Sequence, residues 1–164
     1  MKILFAGTPE IGLKTLKEIH SSSHEVVCVL TSDEKPSGRG LKMKKSPVSK
    51  FAISEGIEIR HQHSLEEIDF EQEIKNLGVD LMVVFAFGFI LSEKVISAPK
   101  LGSINIHTSL LPKYRGAAPI QRSIMAGDKK TGITFMKMDA GMDTGPVISS
   151  IQVAINEDET SEEL

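Results

Sequence analysis

A single cysteine, Cys28, stands among 164 residues. A lone thiol excludes an internal disulfide and a cysteine-rich zinc site. Long apolar runs are also missing. The longest, residues 81–91, counts 11 residues, well short of the ~20 that cross a bilayer. The first ten residues hold too short an apolar stretch for a signal peptide. No charge of one sign dominates: 19 Lys and Arg against 22 Asp and Glu leave a net charge of -3. That balance argues against a surface that binds nucleic acid everywhere, and leaves room for one local basic patch. Internal repeats are absent. So are both phosphate-cradling fingerprints: Gly7 is followed by Thr8-Pro9 and the next glycine is Gly12. Neither G-x-G-x-x-G nor G-x-x-x-x-G-K-[ST] occurs, which argues against an NAD enzyme. The chain reads as soluble and cytoplasmic.

Apolar residues at 40% and charged residues at 25% are those of an ordered globular chain, and 164 residues make one domain. Residues 3–6 form an apolar run ended by Gly7-Thr8-Pro9, a strand followed by a helix that Thr8 can cap. Residues 26–30 are a β-branched strand, completing a βαβ unit with parallel strands. A helix is expected over 48–55, closed by Gly56, with a strand over 57–59 after it. Leu65, Ile68, Ile74 and Leu77 mark a solvated helix stopped at Gly78. Residues 81–86 are the most apolar strand, and 103–107 another. A helix over 120–126 ends at Gly127, and strands over 132–138 and 147–155 form an edge pair. Alternating strands and helices predict an α/β fold of three layers with a mostly parallel central sheet. Thr160 followed by Ser161-Glu162-Glu163 reads as a capped helix opening. The chain stops where that helix is expected to run on, as in a piece of a longer protein.

Residues 31–47 read as a long basic loop punctuated by Pro36, Gly38 and Gly40. Residues 33–50 carry six basic and two acidic side chains, a local +4. By itself this is the pattern of a solvated charge run. His61 and His63 would point the same way on a strand but have no third ligand nearby in sequence, so a solvated pair is expected rather than a metal site. His20 and His24 straddle a serine break and read as surface residues.

Asn105 and His107 alternate on an apolar strand, so both face one side at its C-terminal end, where open α/β sheets place ligands. Two polar groups together on a buried strand are costly unless satisfied or used. They either bond neighbouring loop backbone or serve a site. Residues 139–145 add two acids, Asp139 and Asp143, in a loop with Gly141 and Gly145. An acid in such a loop is ordinarily a turn former. Amide, imidazole and carboxylate together make a set suited to acyl transfer: an oxyanion donor, a proton carrier and an orienting base.

Residues 105–122, Asn-Ile-His-Thr-Ser-Leu-Leu-Pro-Lys-Tyr-Arg-Gly-Ala-Ala-Pro-Ile-Gln-Arg, resemble the core motif of the methionyl-tRNA formyltransferase family. Residues 139–145, Asp-Ala-Gly-Met-Asp-Thr-Gly, resemble its second motif. Phe5-Ala6-Gly7-Thr8-Pro9 and the basic loop with Gly38-Arg39-Gly40 and Ser46-Pro47 match as well, so the likeness spans almost the whole chain. The chain departs from the family pattern at Phe85-Ala86-Phe87-Gly88, where a Tyr is usual at position 87, and at Ser92, where Pro is common.

The resemblance implies a Rossmann-like formyltransferase catalytic domain over residues 1–164, without the smaller tRNA-gripping β-barrel that follows it in the family. It implies transfer of a formyl group from 10-formyltetrahydrofolate to the α-amino group of methionine on initiator Met-tRNA, by a monomer, with no metal. Catalysis falls to Asn105, His107 and Asp143. The folate pocket falls to Phe85, Ala86, Phe87, Gly88, Ile90, Ser109, Leu110, Leu111 and Pro112. Contact with the tRNA acceptor stem falls to Arg39, Lys42, Lys44 and Lys45, in a loop whose glycines keep it mobile. Rival readings are another 10-formyltetrahydrofolate enzyme, acting on glycinamide ribonucleotide, an amino sugar or water, and a non-catalytic folate-binding module.

Overall fold

The computed structural model describes residues 1–37, 42–63 and 69–164, in two compact units, Met1–Ser103 and Ile104–Leu164. In the first unit β1 (Lys2–Gly7) leads through α1 (Glu10–His20) to β2 (Glu25–Thr31). A small ribbon of β3 (Lys35–Ser37) and β4 (Lys42–Lys44) follows, then α2 (Pro47–Ser54), β5 (Glu58–His61), α3 (Phe70–Leu77), β6 (Leu81–Phe85) and α4 (Glu93–Ser97). The order β5-β2-β1-β6 is parallel throughout. Strand order reverses between β5 and β6. Right-handed crossovers therefore place α1 and α2 on one face and the helix preceding β6 on the other. The contacts agree, with α1 against α2 and α3 against α4.

β1 is apolar from Ile3 to Ala6 because it lies between two strands with both faces covered. Phe5 pairs with Val29 on one side and Val83 on the other, and all three are buried. Leu16 of α1 and Ile74 of α3 are fully buried, each such side chain contributing about 1.5–3 kcal/mol. Gly7 ends β1 because a Cβ there would lie 2.7 Å from both the Phe85 carbonyl and the Phe5 ring.

Most helix ends follow the sequence signals. Ser46 caps α2, its Oγ accepting from the Ser49 amide at 2.9 Å with Pro47 at the first helical position. Asp69 caps α3, and Gly78 closes it at φ 66°. Ser92 caps α4 by accepting from the Val95 amide. Thr8 is the exception. Pro9 occupies the N-cap of α1 without a side-chain cap bond, while the Thr8 hydroxyl accepts from the Ser32 amide and donates to the Phe87 carbonyl. Its hydroxyl is spent linking the ends of three strands.

The basic segment also departs from expectation, because it contains an antiparallel ribbon rather than loop alone. Gly38, Arg39, Gly40, Leu65 and Ile68 lie outside the described residues.

β7 (Ser103–His107), in the second unit from Ile104 on, runs antiparallel to β8 (Lys130–Lys137), and β8 to β9 (Val147–Ala154), with α5 (Pro119–Met125) between β7 and β8 in sequence. The expected edge pair is present, and all eight residues of β9 are exposed. Near the end, residues 161–163 form a turn rather than a helix opening. The capping contact is nonetheless made: the amide and hydroxyl of Thr160 donate to Glu163 Oε2 at 2.9 and 2.8 Å. Among the described residues no helix is long and apolar enough to cross a membrane.

Candidate functional site

β7 presents Asn105 and His107 on one face and Ile106, buried, on the other. β8 fixes their height: Asn105 lies opposite Met136 and His107 opposite Thr134. The loop between β8 and β9 carries Asp143. Asp139 shapes that loop, its Oδ1 accepting from the Gly141 amide at 3.0 Å and the Thr144 hydroxyl at 2.7 Å. A Cβ on Gly145 would stand 1.9 Å from the Lys137 carbonyl. That glycine therefore permits a close approach of the loop to the end of β8.

Asp143 adopts φ 53°, a left-handed backbone that costs a non-glycine residue about 1–3 kcal/mol. Contacts to its carboxylate offset that cost. Asn105 Nδ2 donates to Oδ1 at 3.1 Å, and the Gly116 amide donates to Oδ2 at 2.7 Å. His107 Nδ1 lies 3.4 Å from the same Oδ2. The structure thus brings Asn105, His107 and Asp143 together within the second unit, the imidazole 7% and the carboxylate 12% exposed. The bland possibility for the pair, bonding to loop backbone, is also part of the picture. His107 Nε2 lies 3.0 Å from the Tyr114 carbonyl. A carbonyl only accepts, so Nε2 carries hydrogen and donates there. Nδ1 is then the ring nitrogen that faces Asp143.

Sequence reasoning placed Tyr114 and Gly116 in the motif of residues 105–122 without giving either a role of its own, and did not single out Asp128 or Thr134. Tyr114 sits at φ 56°, and no spacing pattern announces a carbonyl aimed by such a backbone. Thr134 carries a signal only through register. Its hydroxyl donates to the Ser109 carbonyl at 2.7 Å and accepts from the Leu111 amide at 3.1 Å, fixing the turn after β7.

The residues expected at a folate pocket occur in both units. In the first, Phe85 ends β6, Ala86 (φ 51°) and Gly88 (φ 81°) turn the chain, Phe87 is buried edge-on to Phe89, and Ile90 is exposed. In the second, Ser109 is fully buried with its hydroxyl donating to the Lys113 carbonyl at 2.6 Å, and Leu111 precedes Pro112 through a cis peptide. Leu110 is half-buried.

Of the basic segment, Lys42 belongs to β4, and the side chains of Lys44 and Lys45 line a cleft of about 740 Å³ with Lys17 and Lys50. Phe51, Leu13 and Pro47 contribute its apolar wall. Lys45 Nζ lies 3.9 Å from Glu34. Arg39 lies outside the described residues.

Three of the other histidines make side-chain contacts. The rings of His61 and His63 stack with centroids 6.1 Å apart, His63 pairs with Asp33, and His20 Nε2 lies 3.4 Å from Glu55. Among the described residues no group of three or more His, Cys, Asp or Glu side chains is gathered to hold a metal ion.

Comparison with known proteins gives the arrangement a context. A methionyl-tRNA formyltransferase of Chromobacterium violaceum is 47% identical over 162 residues, covering 98% of this chain and 53% of that protein. Another, of Ectopseudomonas mendocina, is 46% identical over 160 residues, covering 98% of this chain and 51% of that protein. The chain thus spans about half the length of these curated relatives. Among solved structures, the phosphoribosylglycinamide formyltransferase of Bacillus halodurans superposes with a TM-score of 0.78 at 24% identity, covering 99% of this chain and 84% of that one. That of Anaplasma phagocytophilum also reaches 0.78, at 25% identity over 98% of this chain and 75% of that one. The fold is therefore the α/β formyltransferase fold: the strand and helix pattern predicted its α/β class, and the resemblance implied the formyltransferase form. With the formyl transferase family model matching residues 1–164 throughout, the chain belongs to the formyl transferase family.

Proposed function

We propose that the chain is the catalytic domain of a methionyl-tRNA formyltransferase, moving the formyl group of 10-formyltetrahydrofolate onto the α-amine of methionine carried by initiator tRNA. The observation that carries this reading is the contact of Asn105 and His107 with the single carboxylate of Asp143. The names of the relatives and the lysine-lined cleft favour tRNA as acceptor over glycinamide ribonucleotide, an amino sugar or water.

The chemistry makes use of each group. The amine nitrogen bonds to the formyl carbon, and the carbonyl oxygen becomes an oxyanion. Asn105 has a second amide hydrogen beyond the one given to Asp143 and donates it to that oxygen. His107 Nδ1, without hydrogen in a ring whose Nε2 hydrogen is held by the Tyr114 carbonyl, takes up the proton that leaves the amine. Asp143, beside Nδ1, assists the proton that leaves the amine and reaches the folate nitrogen as the old carbon–nitrogen bond breaks. Removing one donor of this kind costs roughly 3–4 kcal/mol at the transition state. Phe85, Ala86, Phe87, Gly88, Ile90, Ser109, Leu110, Leu111 and Pro112 contribute main-chain groups and apolar surface for the pterin. Arg39, Lys42, Lys44 and Lys45 bind acceptor-stem phosphates. The domain works as a cytoplasmic monomer without a metal.

The test is a formyl-transfer assay on the chain alone and on a chimera joining it to the second half of the Chromobacterium violaceum relative. Methionyl initiator tRNA, glycinamide ribonucleotide and water are offered as acceptors. Turnover with the tRNA, lowered about 10²–10³-fold by His107→Ala with donor binding unchanged, is the expected result. Equal losses of binding and turnover would make His107 a ground-state ligand. Turnover only with another acceptor would replace the tRNA assignment.

A further inference from the structure

His107 is held from behind, and what holds it is itself clamped. Its Nε2 hydrogen points at the carbonyl of Tyr114, 3.0 Å away. Tyr114 has φ 56°, a conformation that a bulky side chain keeps only when its surroundings enforce it.

The enforcement is visible at the side chain. The Tyr114 hydroxyl donates to Asp128 Oδ2 at 2.8 Å. The Arg122 guanidinium carbon lies 5.3 Å from the ring centroid, and Lys113 Nζ lies 5.9 Å from it. Lys113 also reaches both oxygens of Asp128, at 3.3 and 3.2 Å. Arg122 in turn donates to the Arg115 carbonyl at 2.8 Å. Asp128 has a firm base of its own, because its amide donates to the Ser123 carbonyl just past the end of α5. The segment from Lys113 to Gly116 is thereby tied to α5 and the turn that follows it. From that segment the carbonyl of residue 114 faces His107 and the amide of Gly116 faces Asp143. One short stretch of main chain thus orients two members of the trio.

The geometry points to Asp128 and the Tyr114 hydroxyl as positioning residues for formyl transfer. They touch no reacting atom. They hold the Tyr114 carbonyl, which keeps hydrogen on Nε2 of His107 and turns Nδ1 toward Asp143. The charge states suit this task. The Tyr114 hydroxyl and Lys113 hold the Asp128 carboxyl below the usual carboxylate range, and the same hydrogen bond to Asp128 raises the phenol. Around neutral pH the pair is a protonated donor and an ionised acceptor. An orienting contact behind a working imidazole sets its plane and its tautomer; behind metal-bound imidazoles, losing such a partner costs on the order of 10- to 100-fold in activity.

The inference rests on His107 acting in formyl transfer, and the experiment keeps the two ideas separate. Tyr114→Phe, Asp128→Ala and Asp128→Asn are made in the chimera used for turnover, alone and combined with His107→Ala. Asp128→Asn keeps an oxygen for the Tyr114 hydroxyl and loses only the ion pair. The expected outcome is a kcat lowered on the order of 10-fold in Tyr114→Phe and Asp128→Ala, with KM for the formyl donor within about twofold and most of the rate restored in Asp128→Asn. In the His107→Ala background these changes should add nothing. Ring nitrogen NMR of His107 should show the Nε2 hydrogen in the parent chain and a shifted signal in Tyr114→Phe.

An impaired His107→Ala beside fully active Tyr114→Phe and Asp128→Ala, with unmoved His107 ring signals, would overturn this inference and leave the catalytic reading standing. A fully active His107→Ala would overturn the catalytic reading, and with it the role in catalysis proposed for the pair. Should Asp128→Ala fail to fold, Tyr114→Phe and Asp128→Asn decide the matter, since each retains the shape of the side chain it replaces.

Discussion

Asn105 Nδ2 donates to Asp143 Oδ1 at 3.1 Å, joining residues 38 positions apart. The bond places an amide and a carboxylate from different structural contexts in direct contact. Asn105 belongs to a regular strand, whereas Asp143 sits in a loop at positive φ. It also leaves half of the Asn105 amino group for a substrate oxygen.

Replacing Asn105 by alanine removes both roles. Formyl transfer should fall about 10²–10³-fold, the cost of losing a donor to a developing oxyanion. Asn105→Asp should do worse than Asn105→Ala, because it sets a second carboxylate against Asp143. Steady-state kinetics on the three proteins, with thermal melts as a folding check, would show the order. Asn105→Asp outperforming Asn105→Ala would mean that charge at this position is tolerated.

The lysines of the first unit should affect tRNA and not the folate. Lys44→Ala with Lys45→Ala should raise KM for methionyl-tRNA and flatten its salt dependence. Each lost phosphate contact removes about 0.7–0.9 from the slope of log affinity against log salt. KM for the formyl donor should stay unchanged. A salt slope equal to that of the parent protein would reduce Lys44 and Lys45 to solvated surface charges.

Cys28 offers a test of packing. It is fully buried in β2, and burial pushes its thiol up to about 12, opposed in part by the nearby Arg60 guanidinium. The thiolate is the reactive form, so a disulfide reagent at pH 8 should label the native chain very slowly and the denatured chain within seconds. Fast native labelling at low denaturant would show that β2 opens locally.

Asp80 links stability to pH. Its carboxylate accepts from Lys100 Nζ and from the Lys2 amide, both at 2.7 Å, tying the start of β1 to the turn before β6. Those two donors, Lys100 first, hold its pKa below the ordinary value of 3.8. A carboxyl depressed by folding stabilises fully above its unfolded pKa, and that contribution is lost as pH falls through the folded value. The native chain should therefore melt higher than Asp80→Asn at pH 6, with the difference shrinking below about pH 4. A constant difference down to pH 2 would assign the effect to geometry rather than charge.

Much of this protein is written locally. The period-two alternation of Asn105 and His107 put them on one strand face, and the caps at Ser46, Asp69 and Gly78 appear where their residue types predict. Such features depend on backbone geometry within a few residues, which a linear pattern carries. Other features depended on partners far along the chain. Thr8 had the chemistry of a helix cap, yet its hydroxyl went to Ser32 and Phe87. The basic segment folded in part into the β3–β4 ribbon. Asp143 had the appearance of a turn former, and the close approach of Gly145 to Lys137 carried it to β7. Tyr114 gave no sign in its spacing that its carbonyl would meet His107, because a left-handed backbone at a tyrosine exists only where contacts from α5 and Asp128 outweigh its intrinsic cost. Residue type and periodicity set which groups were available, and the long-range packing of the second unit determined which of them meet.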